Sequence, residues 1–345
     1  MRWGWTGLLL LIALTGTIAG CQKDASQAPQ SSATLENIRK KGFVQCGVAP
    51  NLAGFSAADA SGERRGFDVD FCRGLAAAIG VDVKFTPLTA KDRFPALQSG
   101  EIDVLYRNTT VTMNRDTKLG FDFAAINYID GQGFLVRKAK NIKSAKQLNG
   151  ATICVETGTT TEKNLADYFR TNRMTFKALT FEGADNVRGA YDAGRCDALT
   201  TDASGLAAQR PVLKNPDEHV ILPEIISKEP LGPMTRHGDN QWTDIVRWVF
   251  NAHVIAEEKG ITQANVDQVK ASTADPEIKR MLGVTDTMGP DAGLPQDWAV
   301  KAIKAAGNYG EIFDRNLGQQ TPLKLERGLN ALWTRGGLLY VPPIR

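Results

Sequence analysis

A chain of 345 residues has room for two domains of ordinary size. Its apolar fraction of 42% and charged fraction of 23% are typical of a soluble globular protein, and a formal net charge of +3 gives no support for nucleic-acid binding. The three histidines lie far apart and make no metal-ligand spacing with the cysteines, so the sequence predicts neither a metal site nor a cofactor.

Residues 1–20 have the composition of a secretory signal peptide, with Arg2 ahead of a short apolar run at residues 8–14. That run is too short for a stable membrane span. The sequence Ile-Ala-Gly before Cys21 resembles the lipobox of bacterial lipoproteins, in which this cysteine becomes the lipidated first residue. The alternative is an ordinary cleaved signal. Residues 21–33 are polar and predict a disordered tether.

Export would expose the remaining four cysteines to oxidising conditions. Four cysteines allow three pairings. We prefer Cys46 with Cys72 and Cys154 with Cys196, because each pair then falls inside one structural unit. Each bridge would stabilise the fold by roughly 3–4 kcal/mol on the chain-entropy model. Four buried free thiols are the alternative.

The first part of the chain alternates predicted strands and helices, which is typical of a parallel sheet with crossovers. Thr34 opens the first helix, and we expect Asp68 to cap the second, which has an apolar residue at every fourth position and a stop at Gly80. Predicted strands cover residues 43–48, 81–85 and 102–106, and predicted helices cover residues 35–41, 68–79 and 92–98.

The alternation then restarts. Strands are predicted at residues 133–137, 151–155 and 196–202, and helices at residues 144–148 and 186–193, with another passing through Leu165 and Phe169. Later helices are predicted at residues 241–257, 298–306 and 323–333, with a loop at residues 283–297. Two α/β units of similar design suggest two lobes that face a cleft.

Polar residues follow strand ends in both units, where open α/β sheets bind small ligands. In residues 103–115 a short strand gives way to a donor-rich loop ending at Arg115, whose guanidinium can hold a carboxylate. In residues 156–162 a hydroxyl-rich turn begins a helix whose free N–H groups suit an anion. The strand at residues 196–202 ends on an acid. A plain surface loop and a plain helix cap are the alternatives for the first two segments.

Gly66-Phe-Asp-Val-Asp-Phe71, followed by Leu75-Ala76 and Ile79, resembles the signature of the family 3 bacterial solute-binding proteins, the receptors of polar amino-acid ABC transporters. The resemblance runs from residue 35 to about residue 260. Further segments resemble the general L-amino-acid binding subfamily, namely residues 90–100, 156–162, 191–197, 226–232, 308–315 and 328–333.

The resemblance implies an α/β fold of the two-lobe periplasmic binding protein type (type II), with parallel or mixed sheets, flanking helices and a hinge of two crossovers. Lobe 1 would comprise residues 34–130 and 228–345, including a C-terminal extension. Lobe 2 would comprise residues 131–227.

The resemblance also implies roles for residues that match the family's motifs. Arg115, Thr110 and Thr160 would bind the α-carboxylate of the ligand. Asp202, Asn108 and Thr110 would bind its amino group. This agrees with the chemistry of an α-amino acid, whose carboxylate and ammonium can both be buried only when each is fully paired.

The pocket for the ligand's side chain would include Leu52, Phe55, Lys91, Arg107 and Thr159. Relatives selective for basic amino acids place an acid and an aromatic residue in the first loop, and this chain has neither at the corresponding positions. We therefore hypothesise that Arg107 and Lys91 admit acidic and amide side chains, giving broad specificity with a lean toward Glu, Gln, Asp and Asn. The alternative is that Arg107 is solvated or paired with Glu156 or Asp197.

The sequence thus predicts a monomeric, periplasmic receptor of an ABC importer for L-amino acids, which delivers its ligand to the transmembrane subunits of a permease. Its contact with a membrane would be a lipid anchor, and no nucleic acid is expected as a partner. No arrangement of catalytic side chains stands out, so it is not expected to be an enzyme. The alternatives are an enzyme on the same scaffold, such as a cyclohexadienyl dehydratase, and a surface interaction lipoprotein without a ligand.

Overall fold

The computed structural model describes Met1, Trp3 and residues 32–345. The rest of the predicted signal peptide, the lipidation site Cys21 and the tether up to residue 31 lie outside the described residues. The first helix begins at Ala33, before the predicted Leu35, and the Ser32 side chain caps it by accepting a hydrogen bond from the N–H of Leu35. No helix within residues 32–345 is long and apolar enough to cross a bilayer.

Two five-stranded sheets and two short ribbons contain the strands. In chain order these are β1 (Phe43–Val48), β2 (Ala57–Ala58), β3 (Arg64–Arg65), β4 (Asp82–Pro87), β5 (Val104–Leu105), β6 (Phe121–Phe123), β7 (Tyr128–Asp130), β8 (Gln132–Arg137), β9 (Thr152–Glu156), β10 (Lys177–Phe181), β11 (Ala198–Asp202), β12 (His219–Ile221), β13 (Glu229–Leu231) and β14 (Met234–Arg236). The first sheet has the order β4-β1-β5-β14-β6 and the second has the order β10-β9-β11-β8-β12.

The α-helices flank these sheets. In chain order they are α1 (Ala33–Lys41), α2 (Phe67–Ile79), α3 (Arg93–Ser99), α4 (Thr160–Thr171), α5 (Ala184–Asp192), α6 (Ala203–Gln209), α7 (Asn240–Glu258), α8 (Val266–Ser272), α9 (Pro276–Met281), α10 (Met288–Asp291), α11 (Trp298–Ala306) and α12 (Tyr309–Asn316). The predicted loop at residues 283–297 therefore contains a short helix.

Each sheet is mixed. In the first sheet β1 pairs in parallel with β4 and β5, and β14 pairs antiparallel with β5 and β6. In the second sheet β9 pairs in parallel with β10 and β11, and β8 pairs antiparallel with β11 and β12. The predicted two-lobe α/β fold is confirmed, with one sheet in each lobe.

The chain passes between the two sheets twice, and both passages contribute to one antiparallel ribbon. Strand β7 lies between β6 of the first sheet and β8 of the second, and it pairs with β13, which lies between β12 and β14. The register sets Asp130 opposite Glu229. The lobe boundaries at residues 130–131 and 227–228 stay a prediction.

An aromatic cluster forms the centre of the first lobe. The ring of Phe67 on α2 lies with its centroid 5.9 Å from Phe55, 5.8 Å from Tyr128 on β7 and 5.7 Å from Tyr309 on α12. Edge-to-face pairs at these distances stabilise a core beyond the area they bury. The cluster therefore holds α2 and α12 against one strand of the ribbon.

Two disulfides have the preferred pairing. Cys46 on β1 is bonded to Cys72 on α2, and Cys154 on β9 is bonded to Cys196 just before β11. Each bridge lies within one lobe.

Two local predictions are wrong. Asp68 does not cap α2, because Gly66 is the N-cap and no side chain caps it; Asp68 lies in the first turn instead. Residues 323–333 do not form an α-helix. They contain a short 3-10 turn, Gly328–Asn330, in which Gly328 has a φ of 47°. Its backbone N–H groups find partners outside a helix instead: Leu325 donates to the carbonyl oxygen of Leu317, and Trp333 donates to that of Leu339.

Candidate functional site

The loop after β5 contains Asn108, which has an unusual backbone conformation with a φ of 30°. Its N–H donates a hydrogen bond of 3.3 Å to Oδ2 of Asp68. Burial raises the pKa of Asp68 to about 7, and this hydrogen bond and the Arg107 guanidinium oppose that shift. The side-chain Oδ1 of Asn108 is buried and has no hydrogen-bond partner among the described residues. An unpaired buried acceptor on a cavity wall is a candidate ligand contact.

Arg115 lies in a π-helical turn, Asn114–Lys118, that ends this loop. Its Nη1 donates to the carbonyl oxygen of Thr110 at 2.6 Å, and its guanidinium lies 5.2 Å from the ring centroid of Phe94. Burial lowers the pKa of Arg115 to about 10, and the carboxylates of Glu229 and Asp202 counteract this shift. The guanidinium is thus held in place among buried acids.

The start of α4 supplies the matching edge of the second lobe. Thr159 is the N-cap, and its hydroxyl accepts a hydrogen bond from the N–H of Glu162. Thr160 is the first helical residue, and its Oγ1 lies 3.2 Å from Oγ1 of Thr110 in the first lobe. The first N–H groups of a helix have no partner within the helix. The contact between Thr110 and Thr160 joins the two lobes across the cleft.

Glu229 on β13 is a residue of this site that sequence reasoning missed. It is 1% exposed, and its Oε2 accepts hydrogen bonds from the hydroxyls of Thr110 at 2.6 Å and Thr160 at 2.9 Å. Its Oε1 accepts from Asn164 and from Ser227. The one available signal was an acidic residue within the segment at 226–232 that resembles the subfamily.

Asp202 ends β11 and is buried close to two other acids. Burial, followed by the carboxylates of Asp130 and Glu229, raises the pKa of Asp202 well above its usual range. Burial also raises the pKa of Asp130 to about 6, although Ser204 and the N–H of Gly131 donate hydrogen bonds to it. Burial and the neighbouring carboxylates thus disfavour the charged form of Asp202, and an ammonium group placed beside it would favour that form again.

A cavity of about 500 Å³ lies beside these groups and has walls from both lobes. One wall is the loop at residues 49–52 with Arg107 and Asn108, and the other includes Glu156, Thr201 and the start of α5. Leu52, Arg107 and Asn108 are thus the predicted residues that line it. Arg115, Thr110, Thr160 and Asp202 are not among the residues that line it.

Arg107 is 5% exposed and forms the salt bridge that was the alternative prediction. Its Nη2 lies 3.5 Å from Oε1 of Glu156, and its Nε donates to the carbonyl oxygen of Leu88. Burial lowers the pKa of Arg107, and Glu156 opposes this shift. The side chain of Lys91 is largely exposed, and its Nζ lies 3.6 Å from Oε2 of Glu182.

Two other predicted pocket residues occupy different places. Phe55 is fully buried in the aromatic cluster of the first lobe and does not line the cavity. Thr159 bonds to Glu156 O through its hydroxyl and caps α4. Asp116, Asp122 and His237, on the described surface, bring three possible metal-ligating atoms within 4.8 Å of one another, and exposed acidic groups are common without a metal ion.

Two α/β lobes joined by a two-stranded ribbon, with polar strand ends meeting between them, define a solute-binding protein of the periplasmic type. The chain belongs to the bacterial extracellular solute-binding proteins, family 3, whose sequence model matches residues 44–319. The family resemblance is confirmed.

Similar proteins cover nearly the whole chain. The "General L-amino acid-binding periplasmic protein" of Rhizobium johnstonii is 59% identical over 96% of this chain and 98% of its own length. The "Glutamate/glutamine/aspartate/asparagine-binding protein" of Rhodobacter capsulatus is 54% identical over 97% of each. A solved periplasmic binding protein from Brucella ovis with glutathione bound is 57% identical, with a TM-score of 0.89, over 92% of this chain and 100% of that one. These relatives confirm the predicted class, a periplasmic amino-acid-binding protein of ABC transporters.

Proposed function

We propose that this protein is a broad-specificity receptor for L-amino acids, with a lean toward acidic and amide side chains, and that it delivers its ligand to the transmembrane subunits of an ABC permease. The observation that supports this proposal most directly is the meeting of Arg115 and Thr110 of one lobe with Thr160 and Asp202 of the other. These groups offer a cation with N–H donors, and an acid with oxygen acceptors, which are the two halves of an α-amino acid site.

Each group then has a role. Arg115 and the backbone N–H groups of Thr110 and Thr160 would hold the carboxylate of the ligand. Asp202 and the unpaired Oδ1 of Asn108 would hold its ammonium group. Both charges of the ligand would then be paired inside a site closed to water, which is the condition under which their burial is tolerable.

Lobe motion would follow from the ribbon of β7 and β13. We propose that lobe 1 (residues 34–130 and 228–345) and lobe 2 (residues 131–227) rotate about these two strands. A ligand that touches both lobes stabilises the closed form by its greater affinity for that form. The permease would recognise the closed form.

Side-chain selection would depend on the Arg107–Glu156 pair at the cavity wall. A buried ion pair presents a donor and an acceptor together, so amide, acidic and small polar side chains can each find a partner there. The Rhodobacter capsulatus relative, whose name gives glutamate, glutamine, aspartate and asparagine, supports this assignment.

The experiment is thermal unfolding of the protein with each of the twenty L-amino acids. A ligand at 100 times its Kd should stabilise the fold by about 2.7 kcal/mol. We expect Arg115→Ala to lose most of the shift for every ligand. Arg170→Ala, at an exposed pair with Asp167 on α4, is the matched control and should keep it. No shift with any amino acid would contradict the proposal and favour a surface interaction lipoprotein.

A second ligand class is favoured by the size of the cavity. A volume of about 500 Å³ exceeds what one amino-acid side chain fills, and the Brucella ovis relative has glutathione bound. The γ-glutamyl end of glutathione carries a free α-amino and α-carboxylate group, so it could use the same site while the rest of the peptide occupies the cavity. Comparing thermal shifts for glutathione and glutamate tests this candidate.

We propose a periplasmic monomer anchored through a lipid on Cys21, which intact mass measurement of the mature protein and of Cys21→Ser would test. We also propose that it is not an enzyme. Turnover of prephenate, the substrate of a cyclohexadienyl dehydratase, would overturn this.

A further inference from the structure

The position of Glu229 places one protein carboxylate between the two lobes. Four donors from three separate segments surround it: Thr110 in the first lobe, Thr160 and Asn164 on α4, and Ser227 just before β13. An ionised carboxylate has two oxygens with about four acceptor sites and no proton to give. Four donors thus match a fully satisfied carboxylate.

The proton count of the two threonines follows from this arrangement. A hydroxyl has one proton to donate and two lone pairs with which to accept. Thr110 and Thr160 both donate their proton to Oε2 of Glu229, so their 3.2 Å contact with each other holds no further hydrogen. Toward a ligand, this pair of hydroxyls can therefore only accept.

We propose that Glu229 is a positioning residue that turns the Thr110 and Thr160 hydroxyls into acceptors for the ligand's ammonium group, and so selects ligands with a free α-amino group over dicarboxylates without one. This inference rests on the proposed function. The ligand carboxylate would then be left to Arg115 and the backbone N–H groups.

The substitution Glu229→Gln tests the proposal, because a glutamine side chain of the same shape has an NH₂ group that donates where the carboxylate accepted. Both threonines would then lose their acceptor at residue 229, and their hydroxyls would be free to donate to an anion. Calorimetric titration with L-glutamate, and competition by glutarate, which is glutamate without the amino group, measure the selectivity. We expect the ratio of the two Kd values to shift by about tenfold or more toward glutarate. Glu101→Gln, at an exposed acid, is the control.

A second variant separates hydroxyl orientation from loss of the charge at residue 229. Thr160→Val removes the hydroxyl at nearly constant shape. We expect it to weaken glutamate binding several-fold and to leave glutarate competition unchanged. Equal weakening of both ligands would show that the hydroxyl donates to the carboxylate, which overturns the proposal.

The remaining outcomes are also decisive. The inference about Glu229 is overturned if the ratio of the glutamate and glutarate Kd values is unchanged in Glu229→Gln. It is also overturned if neither the parent protein nor this variant binds glutarate detectably. In both cases, glutamate binding by the parent protein leaves the proposed function intact. If the parent protein binds no amino acid, the proposed function itself fails.

Discussion

At the scale of single residues, the buried carboxylate of Asp68 holds the backbone of the loop after β5. Asp68 was predicted to start a helix, and it instead accepts a hydrogen bond from the N–H of Asn108, which has a positive φ. A residue in this conformation persists only when its surroundings hold it there. The segment that carries the family signature, residues 66–71, thus supports the loop after β5 through this hydrogen bond.

The raised pKa of Asp68 gives a pH dependence with a definite sign. Its pKa is about 7 in the fold and about 3.9 in an unfolded chain, so the folded state binds more protons between these values. The stability of the protein should therefore fall by at most about 1.4 kcal/mol per pH unit from pH 4 to pH 7 through this group, and no further above pH 7. We expect Asp68→Asn to lack this decrease in urea unfolding followed across that range. A stability difference from the parent protein that is independent of pH would contradict this account.

The salt bridge of Arg107 belongs to the same scale. In Arg107→Ala, Glu156 stays in the cavity wall and repels an acidic ligand, so we expect glutamate affinity to fall about tenfold more than alanine affinity. Titration calorimetry with both ligands measures the ratio. Lys91→Ala, at a largely exposed site, should have little effect. If the ratio in Arg107→Ala matched that of the parent protein, Arg107 would have no part in selectivity.

At the scale of secondary structure, the C-terminal segment at residues 323–345 braces the ribbon between the lobes. Oδ1 of Asn330 accepts from the N–H of Ile129 at 2.7 Å, and its Nδ2 donates to the carbonyl oxygen of Ile129 at 3.0 Å. Arg327 connects this turn to Glu257 on α7. The side-chain amide of Asn330 thus makes the two hydrogen bonds with Ile129 that a third strand beside β7 would make.

Removal of this amide should loosen the ribbon. Asn330→Ala leaves the N–H and carbonyl oxygen of Ile129 without these partners, at a cost of about 1–3 kcal/mol. We expect a lower free energy of unfolding and faster hydrogen exchange at residues 128–130, measured by denaturant titration and by mass spectrometry. Asn215→Ala, at an exposed turn, is the control. Unchanged exchange in the ribbon would show that the C-terminal segment does not brace it.

At the scale of the whole molecule, each disulfide lies inside one lobe, and within residues 32–345 the chain passes between the two sheets through the ribbon of β7 and β13. The disulfides join residues 26 and 42 positions apart, and both lie inside a lobe. This arrangement favours two rigid bodies that move about β7 and β13.

Replacing both cysteines of the second-lobe bridge, Cys154→Ser with Cys196→Ser, should lower the free energy of unfolding by roughly 3–4 kcal/mol on the chain-entropy model. Denaturant titration under non-reducing conditions measures this loss. The bridge between Cys46 and Cys72 closes a shorter loop, so its removal should lower the free energy of unfolding slightly less. A stability equal to that of the parent protein would contradict the prediction.

The sequence by itself determined the two α/β units and the class of protein, because strand and helix periodicity and the motif around Asp68 are local signals. It left the cysteine pairing as a preference among three, and the tertiary structure decided it. The sequence also indicated α7 and α11 closely. The predicted helix at residues 323–333 was wrong because its residues bond to the ribbon and to α7, which no local pattern shows. Only the tertiary structure decided that Glu229 lies between Thr110 and Thr160, and that Arg107 is paired with Glu156. These contacts join residues 49 to 119 positions apart, and hydrogen-bond partners at such separation are set by how the lobes pack.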